Sequence, residues 1–469
     1  MKRSGHERAV TEPISAVPPP SGGGGQQFPA RTEPRSVRGV RRHRERHAAV
    51  PPVAYGLLGL FFILEYSRIP SIVPILGTLS IQMLVLLALV VCWFMYADRS
   101  DLKHPMVRWV TAFAFLCALG VLYTPNTRAA FNMTMNIASY LLAGILPLLA
   151  FVRTTDRLKW FLELFVYANT FIAYWALTHS GTGPGGFIVD ENDCALVLNV
   201  ALPLSVAVAN WPGQSKVKKW MFLGCAVLLT LGSIATLSRG GFLGLVAAAA
   251  CGFYVSKHKT RIILIAVVSA LILVPLAPSI LPERYIDEVK SITDPSDGTR
   301  QNRLYFWKLG WMMYIDNPVL GVGAGNYPWT VADYERQLPP AERFRGRFSG
   351  GRPSHSLYFT LLPELGTLGV IVFSAVAYHV LRSGSSGRSK KRRRKTIGQP
   401  SPLTLDQQRC DLVGRAIVCS AMSFLVSGAF ISVLYYPSFW HLAGIAAALT
   451  TIRRNADAQA SNQATTATT

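Results

Sequence analysis

Charged side chains are scarce in this sequence. Asp, Glu, Lys and Arg make up 15% of its 469 residues, against roughly 25% in a typical soluble domain. Beside 50% apolar residues, so low a share argues against a large soluble globular protein. Acidic residues are scarcer still: 25 Asp and Glu face 47 Lys and Arg, a formal net charge of +22. Such an excess suits nucleic acid or a membrane surface, and its placement separates the two. The seven cysteines form no CxxC pair and no Cys–His metal spacing. The long polar stretch 280–355 contains none of them, so no structural disulfide is expected there. Residues 1–50 lack an apolar core behind their first charges and do not read as a signal peptide. No internal repeat is visible, which weakens a transporter built from duplicated halves.

What is present is a series of apolar blocks about one bilayer span long. They run approximately 53–67, 75–97, 108–124, 134–152, 158–178, 193–210, 219–237, 240–256, 261–279, 356–381, 412–433 and 437–452. The expected fold is an all-α integral membrane protein of about twelve transmembrane helices. The first block is short and carries Glu65. Residues 1–50, rich in Pro, Gly and Arg, read as a disordered basic cytoplasmic N-terminus, with nine spans over 51–279. Residues 280–355 form a large outer loop between the ninth and tenth spans, and 356–454 carry the last three. The polybasic connection 382–410 lies inside, and 455–469 reads as a disordered tail. Every short connection expected inside carries Lys or Arg, most densely at Arg388–Lys395, while the short outer ones are nearly bare. The charge therefore follows membrane orientation and suits anionic lipid head groups, with no soluble basic face for nucleic acid.

Several residues stand out chemically. Arg239, within Ser238-Arg239-Gly240-Gly241, interrupts two apolar blocks; it reads equally as an anion-binding residue or an arginine reaching the interface at a tight turn. Asp294-Pro295-Ser296-Asp297-Gly298 signals a turn, followed by a helix capped at Thr299 and ending before Asn317-Pro318. Arg300, Arg303 and Trp307 share one face of that helix, either as a phosphate clamp with a sugar-stacking ring or as a solvated basic face. Gly321–Gly325 reads as a tight turn, since no strand precedes it and no Lys-Ser or Lys-Thr follows. His355 marks the end of the loop and suits proton transfer or an interfacial position. Glu364 lies within a span and needs a partner or a wet cavity. Asp190, Asn192 and Asp193 cluster at a span end, where they suit sugar hydroxyls or a cation; no metal site is expected.

Together these pieces resemble the O-antigen ligase and polymerase superfamily of bacterial lipid-linked glycan transferases. The likeness rests on Ser238–Gly241, on Arg303-Leu304-Tyr305-Phe306-Trp307 with Asn317–Gly323, and on His355-Ser356 followed by Gly366 and Gly369. Arg300 and Leu304 also meet the family's arginine-x3-leucine pattern. Pro363 departs from the pattern, at a place that concerns helix geometry. The resemblance implies an inner-membrane enzyme whose periplasmic site moves a glycan from undecaprenyl pyrophosphate to an acceptor hydroxyl. The acceptor would be a glycan, a lipid A-core or a protein, and no cofactor would be needed. In that reading His355, Arg303 and Arg239 are catalytic, and Arg300, Trp307, Asp190, Asn192, Asp193 and Glu364 bind substrate. A flippase or exporter of lipid-linked glycan, a protein O-oligosaccharyltransferase and a secretion-complex scaffold are the alternatives.

The orientation is directly testable. In a background with the native cysteines replaced by alanine, Ser296→Cys should react with an impermeant thiol reagent on intact cells and Ser386→Cys should be protected. The reverse pattern would invert the topology.

Overall fold

The computed structural model describes residues 50–256, 259, 260, 264, 298–343, 349–384 and 403–466. Among these residues all regular structure is helical. In hydrocarbon every backbone polar group must find its partner within the chain, and an apolar helix does this alone. The helices are α1 (Pro52–Ser67), α2 (Ile81–Tyr96), α3 (Pro105–Gly120), α4 (Thr127–Phe151), α5 (Thr155–Thr178), α6 (Glu191–Ala209) and α7 (Lys216–Ala235). They continue with α8 (Arg239–Val255), α9 (Gly298–Asp316), α10 (Tyr327–Arg336), α11 (Tyr358–Arg382), α12 (Leu405–Gly428) and α13 (Pro437–Thr466). Side chains set many of their starts: Thr154, Asp190, Ser215 and Ser238 each accept a first-turn backbone N–H, and Thr404 forms a capping box with Gln407.

Helices α4, α5, α6, α7, α11 and α12 are long and apolar enough to cross a membrane. Helices α1, α2, α3 and α8 are apolar but shorter, at 16 or 17 residues. At 1.5 Å rise per residue these are somewhat short of a hydrocarbon core of about 30 Å. Each apolar block read from the sequence overlaps a helix except 261–279, which lies almost wholly outside the described residues. Residues 1–49 and the basic run 388–395 also lie outside them. One boundary is corrected: the tail expected from 455 is helical as far as Thr466, because α13 continues in one piece.

Helix α6 is the inner member of the assembly, touching α5, α7, α8 and α12. Small residues let the helices approach, as where Gly232 of α7 lies against the backbone of Ala173 of α5. Helix α4 contains a π-helical stretch, Tyr140–Ile145, with Gly144 against the ring of His441 from α13. The segment from α9 to α10 has a small core of its own around Phe306, Leu309, Met313, Val322, Tyr327 and Val331. That core leans on α11 through α9.

The junction between this segment and the membrane helices is a break in α11. Gly366 adopts φ 61° and ψ −162°, so the helix interrupts itself there. The carbonyls of Pro363 and Glu364 turn outward and accept the N–H groups of Val322 and Gly323 at 2.8 Å. Thr367 N–H in turn donates to Pro318 O at 2.8 Å. The glycine-rich run 321–325 is thus laid along a broken helix, where it supplies the hydrogen bonds that the break removes.

Gly366 has no room for a side chain, since a Cβ there would stand 2.4 Å from Val319 O. A left-handed non-glycine residue costs roughly 1–2 kcal/mol before any clash. Gly366→Ala should therefore destabilise the detergent-solubilised protein by at least about 2 kcal/mol, read as a lowered melting temperature. Gly252→Ala, in open space within α8, should be neutral or mildly stabilising in the same assay.

Candidate active site

A cavity of about 480 Å³ opens at the end of the helices where the connections preceding α6, α11 and α13 meet. Its wall includes Asp190, Asn192, Asp193, Ser354, His355 and Glu364, together with the 430–436 connection. Five residues expected from the sequence to bind or react thus come together from two distant segments, 190–193 and 355–364.

His355 occupies the left-handed region, at φ 52°. A non-glycine residue there costs on the order of 1–3 kcal/mol and persists only where its surroundings hold it. They do so on both sides. Ser354 O accepts the indole N–H of Trp307 at 3.0 Å. Ser354 Oγ lies 2.8 Å from Thr360 Oγ1 and 3.3 Å from Ser432 Oγ. Leu357 N–H donates to Gly428 O at 2.6 Å. The strapped backbone leaves the imidazole exposed at the cavity wall. Desolvation by the surrounding protein and the nearby Arg303 guanidinium hold the imidazole below the usual histidine range; Asp190 opposes this and Arg352 adds to it. His355 is therefore neutral at pH 7, the form that accepts a proton.

Trp307 has its ring stacked on Phe359, centroids 4.9 Å apart and planes at 6°. With its N–H donated to Ser354 O, the indole stands behind His355 and positions it.

Glu364 is almost wholly buried. One carboxylate oxygen accepts from Gly325 N–H at 2.7 Å and from the Tyr435 hydroxyl at 2.7 Å; the other accepts from Tyr327 N–H at 2.9 Å. An ionised carboxyl offers about four acceptor positions. Three are occupied from within the protein, which gives Glu364 a positioning role in the wall. Burial and the Glu364 charge push the Tyr435 hydroxyl well above its usual pKa, so it stays a proton donor.

The acidic cluster is structured in the same way. Asp190 caps α6 by accepting from Asn192 N–H at 2.8 Å. Asn192 Oδ1 accepts from Ser238 Oγ at 2.7 Å, and Asp193 accepts from the Tyr436 hydroxyl at 3.3 Å. Ser238 also caps α8 through Gly241 N–H at 2.9 Å. Deeper, Asn199 donates to Gly241 O at 2.7 Å and accepts from Ser233 Oγ at 2.9 Å. The Ser-Arg-Gly-Gly turn is thereby fixed to α6 from two depths.

None of Arg239, Arg300 and Arg303 is among the residues that line the cavity. The Arg303 guanidinium, half-buried, lies 5.8 Å from the ring centre of Phe430, which does line it. Arg239 is the first residue of α8, and its neighbour Gly240 lies against Phe430, where a Cβ would stand 3.3 Å from the Phe430 Cβ. Both arginine-bearing segments thus converge on one aromatic side chain. Arg300 is exposed on α9, one turn from Arg303.

Sequence reading missed the 430–436 connection, whose Phe430, Ser432, Tyr435 and Tyr436 all line the cavity. An aromatic pair between two spans was its only signal, and such pairs are common at membrane interfaces.

Residues 224–374 match the family model described as O-antigen ligase. That range contains Arg239, Arg300, Arg303, Trp307, His355 and Glu364, and excludes Asp190, Asn192, Asp193 and the 430–436 connection. The resemblance to the O-antigen ligase superfamily is supported over this stretch. No curated protein matches the sequence.

Glu364→Ala should leave three donors unpaired, those of Tyr327 and Tyr435 buried and that of Gly325 half-buried. Each costs roughly 1–3 kcal/mol, so a loss on the order of 3 kcal/mol or more is expected in thermal unfolding. Glu364→Gln keeps an acceptor for Tyr327 N–H and should lose less. Equal melting temperatures for Glu364→Ala and the unmodified protein would remove the carboxylate from its positioning role.

Proposed function

We propose that this protein is a bacterial envelope glycosyltransferase of about twelve spans. In this reading it acts at the periplasmic face of the inner membrane, with 280–355 as its outer loop. It transfers a glycan from undecaprenyl pyrophosphate to the hydroxyl of a glycan, lipid A-core or protein acceptor. The observation that carries the reading is a neutral histidine, strapped in a strained conformation at a cavity toward which two arginine-bearing segments converge. The match of residues 224–374 to the O-antigen ligase family supports the same reading.

The chemistry follows from the groups. As the acceptor oxygen forms its bond to the anomeric carbon, the bond from that carbon to the pyrophosphate oxygen breaks. The acceptor proton passes to the His355 imidazole, and undecaprenyl pyrophosphate leaves as an anion. Arg303 and Arg239, with Arg300 beside them, stabilise the growing charge through paired, charge-assisted hydrogen bonds. Lysine would not replace either, because an ammonium lacks the planar fork of donors. Asp190, Asn192 and Asp193 face the sugar across the cavity, and Trp307 and Glu364 hold the wall in register.

His355→Ala should slow single-turnover transfer by about 10²–10⁴-fold while leaving binding of the lipid-linked donor nearly intact. Lost donor binding with an unchanged chemical step would assign His355 to the pyrophosphate instead. Arg239→Lys and Arg303→Lys should each lose about ten- to a hundredfold in rate, the equivalent of one charge-assisted hydrogen bond. Full transfer by both Arg→Ala proteins at normal abundance would end the arginine assignment. The pH profile has a definite sign. The neutral imidazole is the active form and its pKa is lowered, so the rate should hold as pH falls past the ordinary histidine value of about 6.5 and decline only below it. Arg352→Ala removes one of the charges that depress that pKa, so it should move the acid limb to higher pH.

A further inference from the structure

A second cavity, of about 620 Å³, adjoins the first and shares Asn136, Tyr435 and Tyr436 with it. It lies between α1, α2, α4 and the loop before α6, and the catalytic reading makes no use of it. Its size falls within the roughly 300–1,000 Å³ typical of small-molecule sites. Two of its lining residues are charged, Glu65 and Arg68.

This pair is built into the wall. Glu65 is 4% exposed near the end of an apolar helix, where an ionisable group is costly and commonly functional. Its carboxylate accepts from the Gln82 amide and meets Arg68 at a single contact of 3.9 Å. The Arg68 guanidinium lies 4.2 Å above the ring of Phe187, and its Nε is buried without a hydrogen-bond partner. Gly186 makes the room: at φ 61°, a Cβ there would stand 2.8 Å from Arg68 Cζ. Phe187 in turn packs edge-on against Tyr436, centroids 5.8 Å apart at 66°. Tyr140 donates its hydroxyl to Tyr435 O at 3.1 Å. The partition between the two cavities is thus held from the second one.

We infer that the second cavity is a subsite for a pyranose residue of the glycan, one or more sugars away from the reacting bond. The inference rests on the function proposed above. Glu65 and Arg68 cancel in charge, which disfavours a phosphate as the occupant and favours a neutral polyhydroxyl group. The carboxylate accepts from sugar hydroxyls, the Arg68 guanidinium donates to others, and Phe187 and its aromatic neighbours offer faces for the C–H side of the ring. The cavities adjoin at Asn136, Tyr435 and Tyr436, so one glycan chain laid across that partition reaches both. That chain belongs either to the donor or to the acceptor.

The test uses the full-length protein in lipid nanodiscs. The probes are the undecaprenyl-pyrophosphate glycan extracted from the source cells, the same lipid trimmed to its first sugar, and the free glycan released by mild acid. Free glycan should bind, and Phe187→Ala and Glu65→Gln should each weaken that binding at least tenfold. Both variants should turn over the trimmed donor within twofold of the unmodified protein. Phe187→Ala guards against misfolding of a variant that disturbs the ion pair. A raised KM for the full donor assigns the chain to the donor; an unchanged donor KM, with weakened free-glycan binding, assigns it to the acceptor. Free-glycan binding that is indifferent to both substitutions would overturn the subsite, as would equal losses on full and trimmed donors. So would occupancy of the cavity by phospholipid alone, with no competition from free glycan. Phe187-dependent glycan binding in a protein that transfers nothing would leave the subsite standing and overturn the transferase reading.

Discussion

The buried carboxylate of Glu364 is the constraint on which the rest of the site depends. A carboxylate removed from water inside a membrane helix is costly unless its oxygens are hydrogen-bonded. Here the donors come from Gly325, Tyr327 and Tyr435. Those three residues belong to the glycine-rich run, the start of α10 and the 430–436 connection. One side chain therefore ties the α9–α10 segment and the connection before α13 to the same helix. The break at Gly366 is part of the same arrangement, because it turns the carbonyls of Pro363 and Glu364 toward Val322 and Gly323.

His355 is placed by a second set of constraints that do not involve Glu364 directly. Trp307 from α9, Thr360 from α11 and Gly428 at the end of α12 each hold one atom of the strap around it. Holding a histidine at positive φ stores strain, and the strain persists because the surrounding contacts over-determine the backbone there. The same crowding desolvates the imidazole and brings Arg303 near it, so position and protonation state arise from one cause. In the reaction proposed above, Arg303 serves two ends at once. It depresses the base's pKa, and it offers donors for an anionic leaving group.

Phe430 and the Tyr435–Tyr436 pair give the site its layout. Phe430 lies under Arg303 and against Gly240. Tyr435 and Tyr436 stand at the boundary with the second cavity. A connection of a few residues between α12 and α13 thus reaches the arginine-bearing segments, the histidine cavity and the Glu65–Arg68 cavity.

The membrane class, the position of most helices and the chemically unusual residues were legible in the sequence, because they depend on local properties. Apolar blocks of span length, Arg and Lys in alternate connections, and the helix begun near Thr299 need no long-range contact to be read. His355 and Arg239 stood out because polar groups at membrane boundaries are costly wherever they fall, and Arg303 because it shares a helix face with Arg300 and Trp307. Their roles were not legible in the same way. Trp307 read as a sugar-stacking ring and is stacked on Phe359 behind the histidine; Glu364 read as a substrate ligand and is bound by three donors from within the protein. Gly366 read as a motif residue, and only its packing against Val319 shows why no side chain fits. Glu65 read as a blemish in a short span and lines a cavity with Arg68 and Gln82. Most of these outcomes depend on partners tens of positions away. A hydrogen bond is decided by where two groups meet in space, so the sequence by itself determined which residues need partners, and the tertiary structure decided which partners they have.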